Sequence, residues 1–282
     1  MVAFNKMHGL GNDFIVVENR NNENHLSKDE IKLMSHRRFG IGCDQFIMLE
    51  KPTAETADVF MRIYNPDASE SGACGNATRC VASMVSDQTG KADITIQTQR
   101  GLLACQKNAD GSYSVDMGVA MLDARSIPTT DDADVKNIPT GQDLPAGFAV
   151  GMGNPHLVIF VEDADEIELD KLGPTLEHSP FFPERTNVEF VSKNSDGSLR
   201  MRVWERSAGI TMACGSGACA VGVAAFKKGI INSREVDIHL DGGKLTIEYR
   251  EDGHVIMTGP VAHAFDGHFD LSTQNPIGGK EK

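Results

Sequence analysis

The chain has 282 residues, 40 % of them apolar, enough to fill one large core or two of about half that length. A net charge of −13 and a pI near 5.1 exclude a phosphate-backbone binder and argue against docking on an anionic membrane surface. No run approaches the roughly 18 consecutive apolar residues of a membrane span, and the opening MVAFNKMHGLGNDF lacks a basic segment followed by an apolar run, so a cytoplasmic protein is expected.

In chain order, DFIVVE (13–18), QFIMLE (45–50) and VFMRIY (59–64) alternate or carry β-branched residues and read as strands. NATRCVASMVSDQ (76–88) reads as a helix with Asn76 as its capping residue, and DITIQT (93–98) and SYSVDM (112–117) return to strand. The stretch 124–150, with its prolines, glycine and acidic run, is expected to be an irregular connection. HLVIFVE (156–162), NVEFVS (187–192) and LRMRVW (199–204) then repeat the strand set. SGACAVGVAAFKKG (216–229) repeats the helix, capped by Ser216, and VDIHL (236–240) and LTIEY (245–249) follow. The closing GGKEK reads as a frayed end.

The repetition extends to residues. MRIYNPDASESGACG (61–75) lies without a gap over MRVWERSAGITMACG (201–215), which sets Cys74 against Cys214 at an offset of 140. GNDFIVVE (11–18) resembles GNPHLVIFVE (153–162), pairing Asn12 with Asn154, and CDQFIMLE (43–50) resembles RTNVEFVS (185–192), pairing Gln45 with Asn187, both at an offset of 142. Two halves of one ancestral unit explain this order. The expected fold is α/β (α+β): two pseudo-symmetric lobes, each a curved, mostly antiparallel sheet wrapped around a central helix. Residues 1–117 form the lobe carrying Cys74, completed by 261–282, and 118–260 form the lobe carrying Cys214.

Six cysteines without a Cys-x-x-Cys pair suggest neither a disulfide scaffold nor a zinc site, and no metal is expected. Cys43, Cys80, Cys105 and Cys219 are read as packing residues. Cys74 and Cys214 stand in matched glycine-flanked loops just ahead of helices. There the positive helix end favours thiolate, and the adjacent N–H groups can bind a carboxylate. One such site from each half can hold a single amino-acid carboxylate with a thiol on either face of its α-carbon, which is what inversion by two bases requires. A redox disulfide between the two thiols is an alternative.

MHGLGNDF, FGIGCDQ, YNPDASESGACGNATRC, GNPH, TNVEF, ERSAGITMACGSGACA and GPVAHAFDG, in this order, resemble the blocks of the diaminopimelate epimerase family over nearly the whole chain. The resemblance implies a pyridoxal-independent isomerase, without a cofactor, that interconverts LL- and meso-diaminopimelate for lysine and peptidoglycan synthesis. It implies a site in the cleft between the lobes, and a homodimer. It makes Cys74 and Cys214 the acid/base pair, with His156 and Glu205 supporting catalysis. Gly75, Asn76, Gly215 and Ser216 would hold the reacting carboxylate through helix-end N–H groups. Asn12, Gln45, Asn65, Asn154, Asn187, Glu205 and Arg206 would bind the remainder of a dizwitterion, Arg206 forking onto the distal carboxylate and Glu205 taking an ammonium.

Three positions depart from the family pattern: Cys43 stands where alanine is common, Ile210 where glutamate is usual, and Phe265 in place of a tyrosine linked to dimer contacts. A proline or hydroxyproline racemase shares the two-thiol logic but takes a substrate without a second charged end. A non-catalytic amino-acid-binding module would leave the α-carbon proton unexchanged.

Overall fold

A computed structural model describes residues 1–141 and 143–273; the GGKEK end and the rest of the chain after 273 lie outside the described residues. Up to the middle of the chain the elements are β1 (Val2–Gly9), β2 (Asn12–Glu18), α1 (Lys28–Ser35), β3 (Gln45–Glu50), β4 (Val59–Tyr64), β5 (Glu70–Ser71), α2 (Gly75–Thr89), β6 (Asp93–Thr98), β7 (Gly101–Lys107) and β8 (Tyr113–Val119). The series then starts again: β9 (Phe148–Gly151), β10 (Pro155–Phe160), α3 (Leu169–Glu177), β11 (Asn187–Lys193), β12 (Leu199–Glu205), β13 (Gly209–Ile210), α4 (Gly215–Lys227), β14 (Glu235–Leu240), β15 (Gly243–Tyr249) and β16 (His254–Gly259). β17 (Ala262–Phe269) and the short 3-10 turn Leu271–Thr273 follow. The chain divides into two compact units, Met1–Val115 with the segment from Pro260 onward, and Asp116–Gly259.

Within the first unit β1 pairs antiparallel with both β17 and β2; β2–β3 and β4–β6 run parallel, while β3–β4, β6–β7 and β7–β8 are antiparallel. The second unit repeats these joins in the same order. β9–β10 is antiparallel, β10–β11 and β12–β14 are parallel, and β11–β12, β14–β15 and β15–β16 are antiparallel. Register repeats as well, Phe14 opposite Gln45 in one unit and His156 opposite Asn187 in the other. The fold class read from the pattern, mixed α/β with few helices and mostly antiparallel sheets, is the one observed.

Each sheet packs a helix on either side. α2 buries Gly75–Ala82, Val85 and Ser86 against β1, β4, β6 and β7, and α4 buries all of Gly215–Ala225 except Ser216 against the strands of its own unit. Gly222 is required in that packing, since a Cβ there would stand 2.7 Å from Ile247 Cγ2. On the opposite face of the first sheet, Ile31 and Met34 of α1 join Val2, Phe4, Ile15, Val17, Phe46 and Met48 in one core. On that of the second, Leu169 and Leu176 of α3 join Leu157, Ile159, Val188 and Phe190.

Three expectations are corrected. The helices begin earlier than Asn76 and Ser216. The carbonyl of Cys74 accepts the first helical bond from Thr78 N at 2.9 Å and that of Cys214 from Ala218 N at 3.0 Å, so each cysteine is itself the N-cap, in extended conformation (φ −152° and −115°). The sequence reading also missed α1, a short helix fixed by a capping box between Ser27 and Glu30, and α3, which carries Pro174 inside and no side-chain cap. The connection 124–150 runs into β9 at Phe148, and Ile138 bridges Gly147 within it. Among the described residues, no helix is long and apolar enough to cross a membrane.

Candidate active site

In the first unit the β1–β2 turn places Leu10 (φ 55°) and Gly11 (φ 82°) in the left-handed region and turns Asn12 back over the α2 N-terminus. Asn12 Oδ1 accepts from Asn76 Nδ2 at 3.2 Å and from the Cys74 thiol at 3.9 Å, and Asn76 Oδ1 accepts from Arg79 Nη2 at 3.1 Å. Asn12 Nδ2 donates to Asp44 Oδ2 at 2.9 Å, and Arg37 bridges Asp13 and Asp44 at 2.6 Å to each. Lys6 also reaches Asp13 and the Gly42 carbonyl. Burial opposes ionisation of Asp13, but the Arg37 and Lys6 cations beside it hold its carboxyl down at about 2.

Asn12, Cys74 and Asn76 are thus one hydrogen-bonded group. Gln45 and Asn65 are not joined to it by these bonds. Among the described residues Gln45 Oε1 is buried without a partner, and Asn65 sits in the turn after β4, donating from Nδ2 to Ser69 Oγ at 3.0 Å.

The second unit joins more of the expected residues. His156 is wholly buried, its Nδ1 2.6 Å from Glu189 Oε1 and its Nε2 3.0 Å from Asn154 Oδ1. Asn154 Nδ2 donates to Ser216 Oγ at 3.4 Å, and Ser216 Oγ lies 3.7 Å from Cys214 Sγ. Gly217 N donates to the same sulfur at 3.4 Å. The Cys214 thiol and the Thr211 hydroxyl both turn to the Glu205 carboxyl, whose burial raises it above the ordinary carboxylate range.

Asn187 donates to the Pro155 carbonyl at 3.0 Å and accepts from Arg206 N at 2.8 Å, so its amide orders the end of β12. Arg206 Nη1 donates to the Glu184 carbonyl at 3.0 Å. Ile210, on β13, is 48 % exposed.

All six cysteines are thiols. Burial pushes Cys43 up to about 11 and Cys80 and Cys105 up to about 12, which suits packing residues. The expectation that a helix end draws its cysteine toward neutrality is not met at Cys214. Burial first, then the Glu205 and Glu189 carboxyls, push its thiol well above the ordinary value, against the Gly217 N–H and the Ser216 hydroxyl.

The sequence reading missed Glu189, Asp44 and Thr211. Glu189 left a signal, an acid two residues after Asn187, set between Val188 and Phe190, on the face that Asn187 occupies.

The family profile described as diaminopimelate epimerase matches residues 4–122 and 148–264. The diaminopimelate epimerase of Rhodospirillum centenum is 53 % identical over 94 % of this chain and 91 % of its own. That of Gluconobacter oxydans is 46 % identical over 94 % and 98 %. Among solved structures, a probable proline racemase from Agrobacterium radiobacter superposes with a TM-score of 0.72 at 12 % identity, covering 99 % of this chain and 94 % of that one. A PhzF-family phenazine biosynthesis protein from Bacillus anthracis gives 0.69 at 14 % identity, covering 96 % and 99 %. Likeness at that identity establishes the fold, whereas the profile and the close relatives establish descent: the chain is an isomerase of the diaminopimelate epimerase family.

Proposed function

We propose that the chain interconverts LL- and meso-diaminopimelate without a cofactor, Cys74 and Cys214 serving as the two bases. The observation that carries this reading is the pair of matched N-caps, each a cysteine closing the first turn of its helix. Inversion at a carbon acid removes a proton from one face and returns one to the other, so the reaction needs one thiolate and one thiol. Burial and neighbouring carboxyls favour the protonated form of Cys214 in the unliganded chain. The reading therefore starts with Cys214 as the acid and Cys74 as the base, with the roles exchanged in the reverse direction.

Each helix end presents first-turn N–H groups toward its N-terminus, at Gly75 and Asn76 in one unit and Gly215 and Ser216 in the other. These suit the reacting carboxylate. The amides of Asn12, Gln45, Asn65, Asn154 and Asn187, with Glu205 and Arg206, are assigned to the remaining polar groups. Arg206 answers the distal carboxylate that a proline-type substrate lacks. His156 acts on Cys214 through Asn154 and Ser216. The same reading makes the protein a homodimer in the cytoplasm; the run His263–Asp266 on β17, exposed throughout and including Phe265 at 50 % exposure, offers a face for the second copy.

The test is incubation of the purified protein with LL-diaminopimelate in deuterated water with no added cofactor, followed by resolution of the stereoisomers. The meso isomer with deuterium at the inverted carbon is expected. Binding without exchange at that carbon overturns the reading, and equal turnover of proline favours the racemase alternative.

A further inference from the structure

Glu189 is wholly buried, and among the described residues its Oε2 has no partner. A carboxyl in such a place is costly unless something compensates it. Its other oxygen supplies the compensation, 2.6 Å from His156 Nδ1. We infer that Glu189 is the positioning residue that orients a one-way hydrogen-bond chain, from Glu189 through His156, Asn154 and Ser216, ending on the Cys214 sulfur. This rests on the proposed role of Cys214.

The direction of the chain follows link by link from which atoms can donate. Asn154 Oδ1 only accepts, so His156 Nε2, 3.0 Å away, must carry its hydrogen. With Nε2 protonated, the proton between Nδ1 and Glu189 Oε1 rests on either atom, and both states leave His156 donating to Asn154. Asn154 Nδ2 only donates, so Ser216 Oγ accepts from it at 3.4 Å, and because the Cys214 thiol turns to the Glu205 carboxyl, the Ser216 hydroxyl is the donor across the 3.7 Å to Cys214 Sγ. Every donor therefore faces the sulfur and favours its ionised form, in a site where burial and carboxyls oppose ionisation. Without Glu189, neutral imidazole is free to carry its hydrogen on Nδ1. Nε2 then accepts, the Asn154 amide turns over, and the Ser216 hydroxyl is drawn away from the sulfur.

Two further observations fit. A Cβ on Gly217 would lie 2.7 Å from Glu189 Oε1 and 3.2 Å from Cys214 Sγ, so the first turn of α4 is kept bare where the two ends of the chain approach it. In the first unit the equivalents of His156 and Glu189, at the same offset of 142, are Phe14 and Ile47, both wholly buried, so the arrangement belongs to one cysteine only. The titratable groups set around Glu189 are His156 from β10, Cys214 from the start of α4 and Glu205 from the end of β12.

The test compares Glu189→Gln with Glu189→Leu. Both lack the charge, so removal of a carboxylate cancels between them, and only Gln can donate to His156 Nδ1 and keep the direction. In protein labelled with 13C-cysteine, with the Cys214 signal assigned by its loss in Cys214→Ala, the Cys214 titration midpoint is expected about half to one pH unit lower in Glu189→Gln than in Glu189→Leu. Coincident midpoints overturn the inference. The unaltered protein gives a second arm that needs no variant to fold: the 15N shifts of His156 must show a proton on Nε2, and a neutral ring protonated on Nδ1 overturns the inference equally. Neither measurement involves turnover, so failure of the functional proposal and failure of this inference are read separately.

Discussion

The surroundings of Cys74 and Cys214 differ far more than the backbone that holds them. Both cysteines cap a helix that opens Cys-Gly, and both follow two strands that meet in the same register. Cys74 is partly exposed and faces the Asn12 amide, which is held from behind by the Asp13, Asp44, Arg37 and Lys6 charges near the surface. Cys214 is buried, and behind it lies a wholly buried histidine–glutamate pair where the first unit has phenylalanine and isoleucine. Duplication preserved the backbone device, a helix end with a cysteine at its N-cap. Divergence went into the side chains around each thiol, a difference that the proposed pairing of one thiol with one thiolate would use.

If the two cysteines are equally indispensable despite these settings, Cys74→Ala and Cys214→Ala must each lower kcat/KM by at least the 10²–10⁴-fold of a lost acid or base. Cys43→Ala and Cys105→Ala should leave kcat/KM within about twofold of the unaltered chain. Steady-state epimerisation assays on the four variants check this. Measurable turnover above about a hundredth in either member of the pair would reduce that cysteine to a binding role.

The Gly217 position separates the units next. Its equivalent in the first unit, at the offset of 140, is Ala77, which packs without exposure, whereas a Cβ at Gly217 would meet Glu189 Oε1 at 2.7 Å and Met201 Cε at 3.0 Å. Gly217→Ala is expected to cost about 1–3 kcal/mol of stability through overpacking and to lower kcat/KM by about tenfold or more. Ala77→Gly, by contrast, should lose about 1 kcal/mol from helix propensity and the missing methyl, with kcat/KM nearly unchanged. Denaturant unfolding beside kinetics reads both. Equal kinetic effects of the two substitutions would mean that the Glu189 side of α4 is no more sensitive than its counterpart.

Much of this contrast was legible before any coordinates. The strands VFMRIY and DITIQT coincide with β4 and β6 because each alternates faces, and QFIMLE coincides with β3 as a short apolar run, buried on both faces, between polar ends. The repeat, carried by Ala-Cys-Gly at both helix starts, pointed to the two cysteines. The helix starts themselves were misjudged because Asn76 and Ser216 are stronger intrinsic caps than cysteine, while glycine at the first helical position let the turn begin earlier. Glu189 escaped because its meaning lies in a partner 33 residues away, paired across the parallel β10–β11 join that periodicity does not reveal. The raised Cys214 thiol escaped for a related reason: desolvation depends on everything packed around a group, and a helix end is only one contribution.

A smaller effect sharpens the first-unit side. Asp44 takes one hydrogen bond from the Asn12 amide and another from Asp13 N at 3.0 Å, so it fixes which end of that amide faces Cys74. Asp44→Ala frees the amide to turn, and the loss of one such bond predicts a fall in kcat/KM of about two- to tenfold. Because Asp44 belongs to the first unit and the Glu189 chain to the second, the Cys214 titration midpoint is expected not to move. A shift at Cys214 in this variant would show that the two settings are not independent.

The smallest effect concerns stability in acid, and it tests whether the surface charges of the first unit contribute where the buried pair of the second is shielded. Asp13 is held at about 2 in the folded chain against an ordinary value of 3.8, because Arg37 and Lys6 stabilise its carboxylate more than burial disfavours it. A carboxyl depressed on folding contributes stability above its unfolded value, and that contribution is lost as the pH falls through the folded one. The window is therefore about pH 4 down to about 2. Solvent at the rim of the cluster screens part of the interaction, so about 1 kcal/mol is expected. Unfolding midpoints in urea, measured from pH 6 to 2, should fall more steeply below pH 4 for the unaltered chain than for Asp13→Asn. Asp13→Asn should be the less stable of the two at pH 6, the difference narrowing as Asp13 takes up its proton. Two parallel curves would mean that the Lys6–Asp13–Arg37 cluster orients Asn12 without stabilising the fold.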